Sequence, residues 1–321
     1  MRRPISWIAA LTASIAFSAC EAPVSAVDPV QRPLARPAAL AKPKPVTKPS
    51  VVRSEQSLEL QKYYQRVQNG LLAQGLLRRD GGIRDAPFGT RQLVENFIRI
   101  ALYEEYSSVG GSLVARATAS RLHRWERPIT MQLEFGATVS PDKQATDRAA
   151  VTGYASRLSR ITGLPIRQVT SGGNFNVFIV NENERRALGP RLRRMVPGIS
   201  ELAVRTVTDM PQSSYCLVFA LDGGSDGAYR QAVAVIRAEH PDLLRLSCIH
   251  EEVAQGLGLS NDSPAARPSI FNDDEEFALL TSHDELLLRM LYDPRMRPGM
   301  SEPEARAQAQ IIASELLGGE S

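Results

Sequence analysis

The chain has little net charge and few aromatic residues. Its 321 residues hold 38 Lys and Arg against 35 Asp and Glu, which leaves a formal charge of +3 at pH 7. This charge is far from the dense single-sign field that a nucleic-acid binder needs. Aromatic residues make up 6% of the chain, so no stacking ribbon for nucleic acid or carbohydrate is expected. We therefore predict no nucleic-acid partner.

The motifs of several common enzyme classes are also missing. No serine has a Gly-x-Ser-x-Gly context, which leaves a serine hydrolase without support. Neither GxxxxGK[ST] nor GxGxxG follows a predicted strand, so the glycine pairs at 172–173 and 223–224 indicate turns rather than phosphate loops. The chain is nevertheless 43% hydrophobic and long enough to bury a large core.

The N-terminus has the pattern of an export signal. Arg2 and Arg3 precede an apolar stretch over 5–17, which is shorter than the roughly 20 residues that a membrane-spanning helix needs. The tetrad Phe-Ser-Ala-Cys at 17–20 resembles the bacterial lipobox, and this resemblance implies removal of residues 1–19 and lipidation of Cys20. An ordinary signal peptide with an incidental cysteine is the alternative.

Residues 20–55 have the composition of a tether. They contain seven prolines and six Lys or Arg, and such a segment favours extended polyproline-like conformations over a packed core. A solvated stalk is the favoured interpretation, and contact of the basic residues with anionic lipid or wall polymer is the alternative. By resemblance to the sorting rules of Gram-negative bacteria, Glu21 favours a lipid anchor on the periplasmic side of the outer membrane over the inner membrane.

Apolar periodicity predicts an α+β body with helices covering a mixed sheet. We expect N-terminal helices within 56–125 and the α+β domain over 126–321. Helical spacing is seen over 55–78, from Thr90 through Tyr106, over 141–161 and after Pro241. Strand patterns are seen over 128–135, 166–169, 174–180, 215–221 and 230–236.

Two cysteines remain in the body once Cys20 is assigned to the anchor. An exported protein enters an oxidising compartment, so Cys216 and Cys248 are predicted to form a disulfide. The bridge ties the strand over 215–221 to the helix after Pro241. Two buried free thiols, or two metal ligands, are the alternatives.

The most informative segment is 248–262, Cys-Ile-His-Glu-Glu-Val-Ala-Gln-Gly-Leu-Gly-Leu-Ser-Asn-Asp. In zinc peptidases, HExxH on a helix brings two imidazoles to one metal, and the Glu acts as base. That pattern fails when it begins at His250, because Ala254 then occupies the second ligand position. We regard His250 as a flanking residue of the helix.

A second alignment places Gly258-Leu259 on the Gly-Leu that ends the extended form HExxHxxGL. The base is then kept and all three zinc-ligand positions are changed. The ligand positions fall on Glu251, Gln255 and Asn261, and the base position falls on Glu252.

The residues that follow resemble the metzincin-like zinc peptidases. Pro-Ser-Ile-Phe at 268–271 stands where those enzymes have a Ser-Ile-Met turn, and Leu-Thr-Ser-His-Asp at 280–284, followed by Leu291-Tyr292, resembles their closing helix. The resemblance implies a zincin-like mixed sheet. The whole body also resembles a family of uncharacterised bacterial lipoproteins that carry a single domain of unknown function. Within the closing helix, His283 is expected in a first turn that is capped by Thr281.

Neutral amides are poor zinc ligands, so we predict no metal and no cofactor. The altered positions are instead predicted to line a binding groove formed by Glu251, Gln255, Asn261 and Asp262. The alternative is a hard cation, such as Ca²⁺, held by Glu251, Asn261, Asp262 and Asp273. Adjacent side chains on a helix diverge by about 100°, so Glu251 and Glu252 are not expected to face one site.

These patterns predict a lipid-anchored protein of the cell envelope. Its body is expected to be a catalytically inactive, metallopeptidase-like domain that binds an envelope protein or a wall component. One alternative is an active metallopeptidase with atypical ligands and Glu252 as general base. Another is a purely structural tether.

Overall fold

A computed structural model describes residues 52–82, 85–109, 112–224 and 226–318, and side chains are described outside 105–117. The predicted signal peptide, Cys20 and most of the tether lie outside the described residues. No helix in the described ranges combines the length and the apolarity that a membrane crossing requires.

The described residues form an α+β fold, as the periodicity predicts. Helices and strands come in short runs along the chain, and three short helices lie between the third and fourth strands of the central sheet in chain order. The helices are α1 (Glu55–Ala73), α2 (Thr90–Ala101), α3 (Pro141–Thr162), α4 (Glu182–Arg186), α5 (Gly189–Met195), α6 (Glu201–Thr208), α7 (Asp242–Gln255), α8 (Ser282–Leu291) and α9 (Glu302–Leu316). The strands are β1 (Tyr103–Val109), β2 (Ser112–Ala119), β3 (Arg124–Trp125), β4 (Ile129–Phe135), β5 (Ile166–Val169), β6 (Phe175–Val180), β7 (Cys216–Leu221), β8 (Ala228–Tyr229) and β9 (Gln231–Arg237).

The central sheet has five strands in the order β5-β4-β6-β9-β7. The first four are parallel, and β7 pairs antiparallel with β9 at one edge. Strand β4 lies between β5 and β6, so the two strands on either side of the turn at 171–173 are not neighbours. The predicted pairing of 215–221 with 230–236 is confirmed.

Helices cover both faces of the sheet. Phe175, Val177 and Ile179 on β6 belong to the core under α2, α3, α7, α8 and α9. Phe178 and Val180 belong to the second core, under α5 and α6. Because both faces are covered, every residue of β6 is buried, which explains why all of them except Asn176 are apolar.

The N-terminal region differs from its prediction in one place. The helix that begins at Thr90 ends at Ala101 rather than continuing through Tyr106. Residues 103–109 instead form β1, which pairs antiparallel with β2. The physical reason is local: a Gly-Gly pair at 110–111 separates two runs of strand-forming residues, and this is a hairpin signal that the helical spacing obscured.

Two shorter corrections concern helices. The first predicted helix, over 55–78, ends at Ala73, and Gly75 follows with a positive φ of 77°. Helices α4, α5 and α6, over 182–208, were not predicted, because each is too short to show a clear period.

Candidate functional site

Helix α7 lies at the centre of the molecule, and other elements hold it along its length. Most of its residues from Leu244 onwards are buried. The hydroxyl of Tyr154 donates to the carbonyl of His250 at 2.8 Å. Beyond the helix, the indole of Trp125 donates to the carbonyl of Gly256, also at 2.8 Å. These bonds fix both the path of α7 and the direction in which the chain leaves it.

The chain turns sharply after α7 at a position that only glycine can occupy. Gly258 has a φ of 124°, and a Cβ there would lie 2.2 Å from the carbonyl oxygen of His123. The turn returns the chain to α2. There the side-chain amide of Asn261 donates to the carbonyl of Arg99 at 2.8 Å, and the backbone amide of Asn261 donates to the carbonyl of Ile100 at 3.1 Å. Asn261 therefore holds the loop against α2.

The predicted disulfide between Cys216 and Cys248 is present, with its α-carbons 5.9 Å apart. It joins edge strand β7 to the middle of α7. Cys248, Glu251 and Glu252 occupy positions i, i+3 and i+4 of that helix, so they share one face. The bridge and the two carboxylates are therefore brought to the same side of α7.

The carboxylates of Glu251 and Glu252 approach one another, contrary to our expectation. One ligating atom from each of Cys216, Glu251 and Glu252 lies within 4.8 Å of the other two. Although neighbouring side chains leave the helix about 100° apart, their flexible stems are long enough to converge at the tips. Glu252 is 4% exposed, while Cys216 and Glu251 are half-buried.

The other groove residues are arranged differently. The side-chain amide of Gln255 donates to a carboxylate oxygen of Asp262 at 3.1 Å. Both Gln255 and Asn261 are buried, at 6% and 3% exposure. Within the described residues, the single group of three metal-ligating side chains is the one formed by Cys216, Glu251 and Glu252. The acidic side chains named for the Ca²⁺ alternative, Glu251, Asp262 and Asp273, do not form such a group within those residues.

The two histidines near the motif have separate partners. Nδ1 of His250 accepts from the backbone amide of Leu280 at 3.1 Å, and its ring stacks on Tyr154 with centroids 3.9 Å apart. Burial lowers the pKa of His250 to about 3, so the ring is neutral. Nε2 of His283 lies 3.0 Å from the amide nitrogen of Asn96. In these positions both rings serve packing and hydrogen bonding.

The turn at 268–271 is tied to α8 by one buried carboxylate. Asp284 accepts hydrogen bonds from the hydroxyl of Ser269 at 2.5 Å, from the amide of Ile270 at 3.1 Å and from the amide of Thr281 at 2.9 Å. Thr281 caps α8 as predicted, and His283 lies in its first turn. Phe271, the last residue of that turn, is fully buried in the main core.

A network of buried charges lies at the carboxyl ends of β6 and β9. The carboxylate of Glu182 accepts from Arg185 at 2.7 Å and from Arg237 at 2.6 Å, and all three residues are at most 3% exposed. Burial acts to raise the pKa of Glu182, but its arginine partners outweigh that effect and lower the pKa to about 2. Sequence reasoning missed this network. The available signal was polar residues directly after buried strands.

Helix α1 covers the same end of the sheet. The hydroxyl of Ser57 donates to the carboxylate of Glu239 at 2.6 Å. The ring of Tyr64 stacks on His240 with centroids 4.3 Å apart. Burial lowers the pKa of His240 to about 3, and its Nε2 lies 3.0 Å from the carbonyl of Tyr215. Thus α1 rests on the segment that leads into β7.

Two open surface cavities, of about 580 and 420 Å³, lie away from α7. The larger has Arg121, His123, Asp222 and Glu302 among its lining residues. The smaller lies at the N-terminus of α2. Neither is lined by Glu251 or Glu252, so the predicted groove residues do not belong to these cavities.

The sequence also matches a known protein family. A family model described as a protein of unknown function (DUF2927) matches residues 90–311, more than two thirds of the chain. The match begins at α2 and ends within α9, so α1 precedes it. No curated protein matches the chain.

Proposed function

Because the chain belongs to the DUF2927 family of proteins of unknown function, we propose its function from the site itself. We propose that it is a lipid-anchored envelope protein with a metzincin-like domain. This domain binds an extended segment of another envelope protein without cleaving it. The anchor is Cys20, joined to the body by the proline-rich tether.

The architecture around α7 supports the relation to metzincin-like peptidases. A mixed sheet ends in the antiparallel edge strand β7, and α7 contacts both β7 and β9. The turn at 268–271 and the capped helix α8 follow in the order that the sequence resemblance implies. Gly258 occupies a position where the backbone requires glycine, which supports the alignment that used this residue.

One observation carries the conclusion that the domain binds rather than cleaves. Two of the three positions aligned with zinc ligands are used for structural hydrogen bonds: Gln255 donates to Asp262, and Asn261 donates to the carbonyl of Arg99. A peptidase of this kind needs three ligands that leave one metal position open for water. Residues Glu251, Gln255 and Asn261 do not supply that set.

Strand β7 offers a place for the partner. In the described part of the chain, it pairs with β9 on one side and ends the sheet on the other. An extended peptide can add to such an edge through main-chain hydrogen bonds, while side-chain contacts give specificity. Five of its six residues are half-buried rather than exposed. An added strand would therefore pack against side chains that the fold already covers in part.

Site-specific crosslinking in cells tests this proposal. A photo-crosslinking residue at Val218 on β7 is expected to capture one envelope protein from the full-length, lipidated chain. The same residue at Arg167, on the opposite edge strand β5, is the matched control and is expected to give no such adduct. The proposal fails if both edges give the same products, or if β7 captures a wall polymer or nothing.

The convergence of Glu251 and Glu252 favours one second candidate, a metallopeptidase with atypical ligands and Glu252 as general base. In the disulfide-bonded protein the sulfur of Cys216 is used by the bridge, so the cluster supplies two carboxylate ligands. Zinc analysis and a peptide-cleavage assay on the oxidised protein decide between the candidates. Stoichiometric zinc with cleavage that Glu252→Gln abolishes would establish the second.

A further inference from the structure

Two cysteines and two glutamates meet on one face of α7. Cys248, Glu251 and Glu252 are spaced i, i+3 and i+4, and β7 contributes Cys216 from the opposite side through the disulfide. The ligating atoms of Cys216, Glu251 and Glu252 are already within 4.8 Å of one another. Cys248 is outside that group, but its sulfur is bonded to the sulfur of Cys216 and is therefore the fourth ligating atom nearby.

We propose that reduction of the Cys216–Cys248 disulfide creates a zinc site whose ligands are these two thiolates and the carboxylates of Glu251 and Glu252. The site and the disulfide exclude each other, because the same two sulfur atoms form both. This inference does not depend on the proposed binding function.

The electron and proton balance is simple. A dithiol reductant transfers two electrons and two protons to the bridge, so the S–S bond breaks, two thiols form and the reductant becomes a disulfide. Zn²⁺ then displaces the two thiol protons into solvent as two Zn–S bonds form. Two sulfur and two oxygen ligands suit the preference of Zn²⁺ for tetrahedral thiolate and carboxylate coordination.

The distances allow such coordination with small movements. Bond lengths of about 2.0 to 2.3 Å place tetrahedral ligands roughly 3.6 Å from one another. A separation of at most 4.8 Å between the three ligating atoms therefore requires shifts of about an ångström. Side-chain rotation of the glutamates can supply them. The two sulfur atoms, bonded to each other in the bridge, must separate to that spacing after reduction, and rotation about the Cα–Cβ bonds of the two cysteines can supply this movement.

Charge explains why the reduced site favours a cation. Two thiolates beside two carboxylates would place four negative charges in a partly buried volume, and like charges at this separation oppose ionisation. The reduced site must therefore keep its thiols protonated or bind a divalent cation. Zinc that binds only the reduced form also shifts the thiol–disulfide equilibrium towards reduction by mass action.

Zinc binding by both redox forms of the protein tests the proposal. The probe is zinc itself, added to the mature chain from residue 20 with Cys20→Ser, so that the third thiol does not contribute. We expect one equivalent of zinc in the reduced protein and none in the oxidised protein. Cobalt in place of zinc should give a thiolate-to-cobalt charge-transfer band in the reduced protein alone.

A pair of variants tests whether the glutamates take part in zinc binding or whether the two thiols alone account for it. Glu251→Gln combined with Glu252→Gln should weaken zinc binding at least tenfold in the reduced protein. Asp242→Asn, in the exposed first turn of the same helix, is the matched control and should leave the affinity unchanged. Equal zinc binding in both redox states, or an unchanged affinity in the double variant, overturns the proposal.

A redox titration covers the case in which reduction unfolds the chain. In a buffer of reduced and oxidised dithiol, zinc should increase the fraction of protein with free thiols. The circular dichroism spectrum should stay that of the folded protein. The double glutamine variant should lose this zinc-dependent shift. If zinc neither shifts the thiol fraction nor preserves the fold of the wild-type chain, the site does not exist.

Discussion

The molecule holds carboxylates in different surroundings at the end of β6 and on α7. At the end of β6, Glu182 lies between Arg185 and Arg237 with contacts of 2.7 and 2.6 Å. On α7, the carboxylates of Glu251 and Glu252 lie within 4.8 Å of each other and of a disulfide sulfur. In the first place opposite charges compensate each other, and in the second like charges are brought together.

The difference separates a structural role from a chemical one. The arginines of the first place also hold the chain that leads into β7, since Arg237 donates to the carbonyls of Met210 and Ser214 at 2.8 and 3.1 Å. Such an arrangement has one stable state. The sulfur atoms beside Glu251 and Glu252 can form a disulfide or, after reduction, two thiols, and the two forms require different counter-charges.

Removal of Glu182 should give the largest loss of stability. In Glu182→Ala, the guanidinium groups of Arg185 and Arg237 stay buried without their carboxylate, which costs about 3–5 kcal/mol. Urea unfolding measures this change. As a control, Glu201→Ala breaks an exposed pair with Arg193 and should cost much less than the buried change. Equal effects of the two variants would show that the buried network is not held by charge compensation.

Removal of the disulfide should have the next largest effect. The bridge joins residues that are 32 positions apart, so the loop-entropy relation predicts a loss of about 3–4 kcal/mol in Cys216→Ser/Cys248→Ser. Urea unfolding in metal-free buffer measures it. Reduction of the wild-type chain under the same conditions should match the double variant. An unchanged unfolding midpoint after reduction would contradict a stabilising bridge.

The sequence predicted elements and local chemistry better than long-range arrangement. The strands at 129–135, 175–180, 216–221 and 231–237 follow from patterns within short segments, and the disulfide follows from the count of cysteines and an expected oxidising compartment. The position of β4 between β5 and β6 does not, because strand order depends on packing of the whole sheet.

The candidate site shows the same limit. Helical spacing gives the directions of Glu251 and Glu252 at the backbone, and those directions diverge. Their convergence on Cys216 depends on side-chain rotamers and on β7, which is 30 residues earlier in the chain. Likewise, nothing local indicates that Glu182 and Arg237 meet, since they follow two different strands.

The free energy of unfolding should fall gradually in acid. The pH range of this fall distinguishes the contribution of the two histidines from that of Glu182. Burial lowers the pKa of His240 and of His250 to about 3, against about 6.5 in an unfolded chain. Below pH 6.5 the unfolded state therefore binds more protons, so these rings stabilise the fold above pH 6.5 and lose that contribution as the pH falls towards 3. The depressed pKa of Glu182, about 2, has its effect only below about pH 4.5.

Between pH 6.5 and 4.5 the histidines thus act without Glu182, and each can contribute a slope of up to about 1.4 kcal/mol per pH unit. His250→Gln keeps an acceptor for the amide of Leu280 but cannot take up a proton, so it should remove one histidine's share of the slope. Urea unfolding at half-unit steps of pH measures it. The slopes of variant and wild type should coincide from pH 7 to 8, where the imidazole is neutral in both states. A variant as steep as the wild type below pH 6.5 would mean that His250 is not held neutral by the fold.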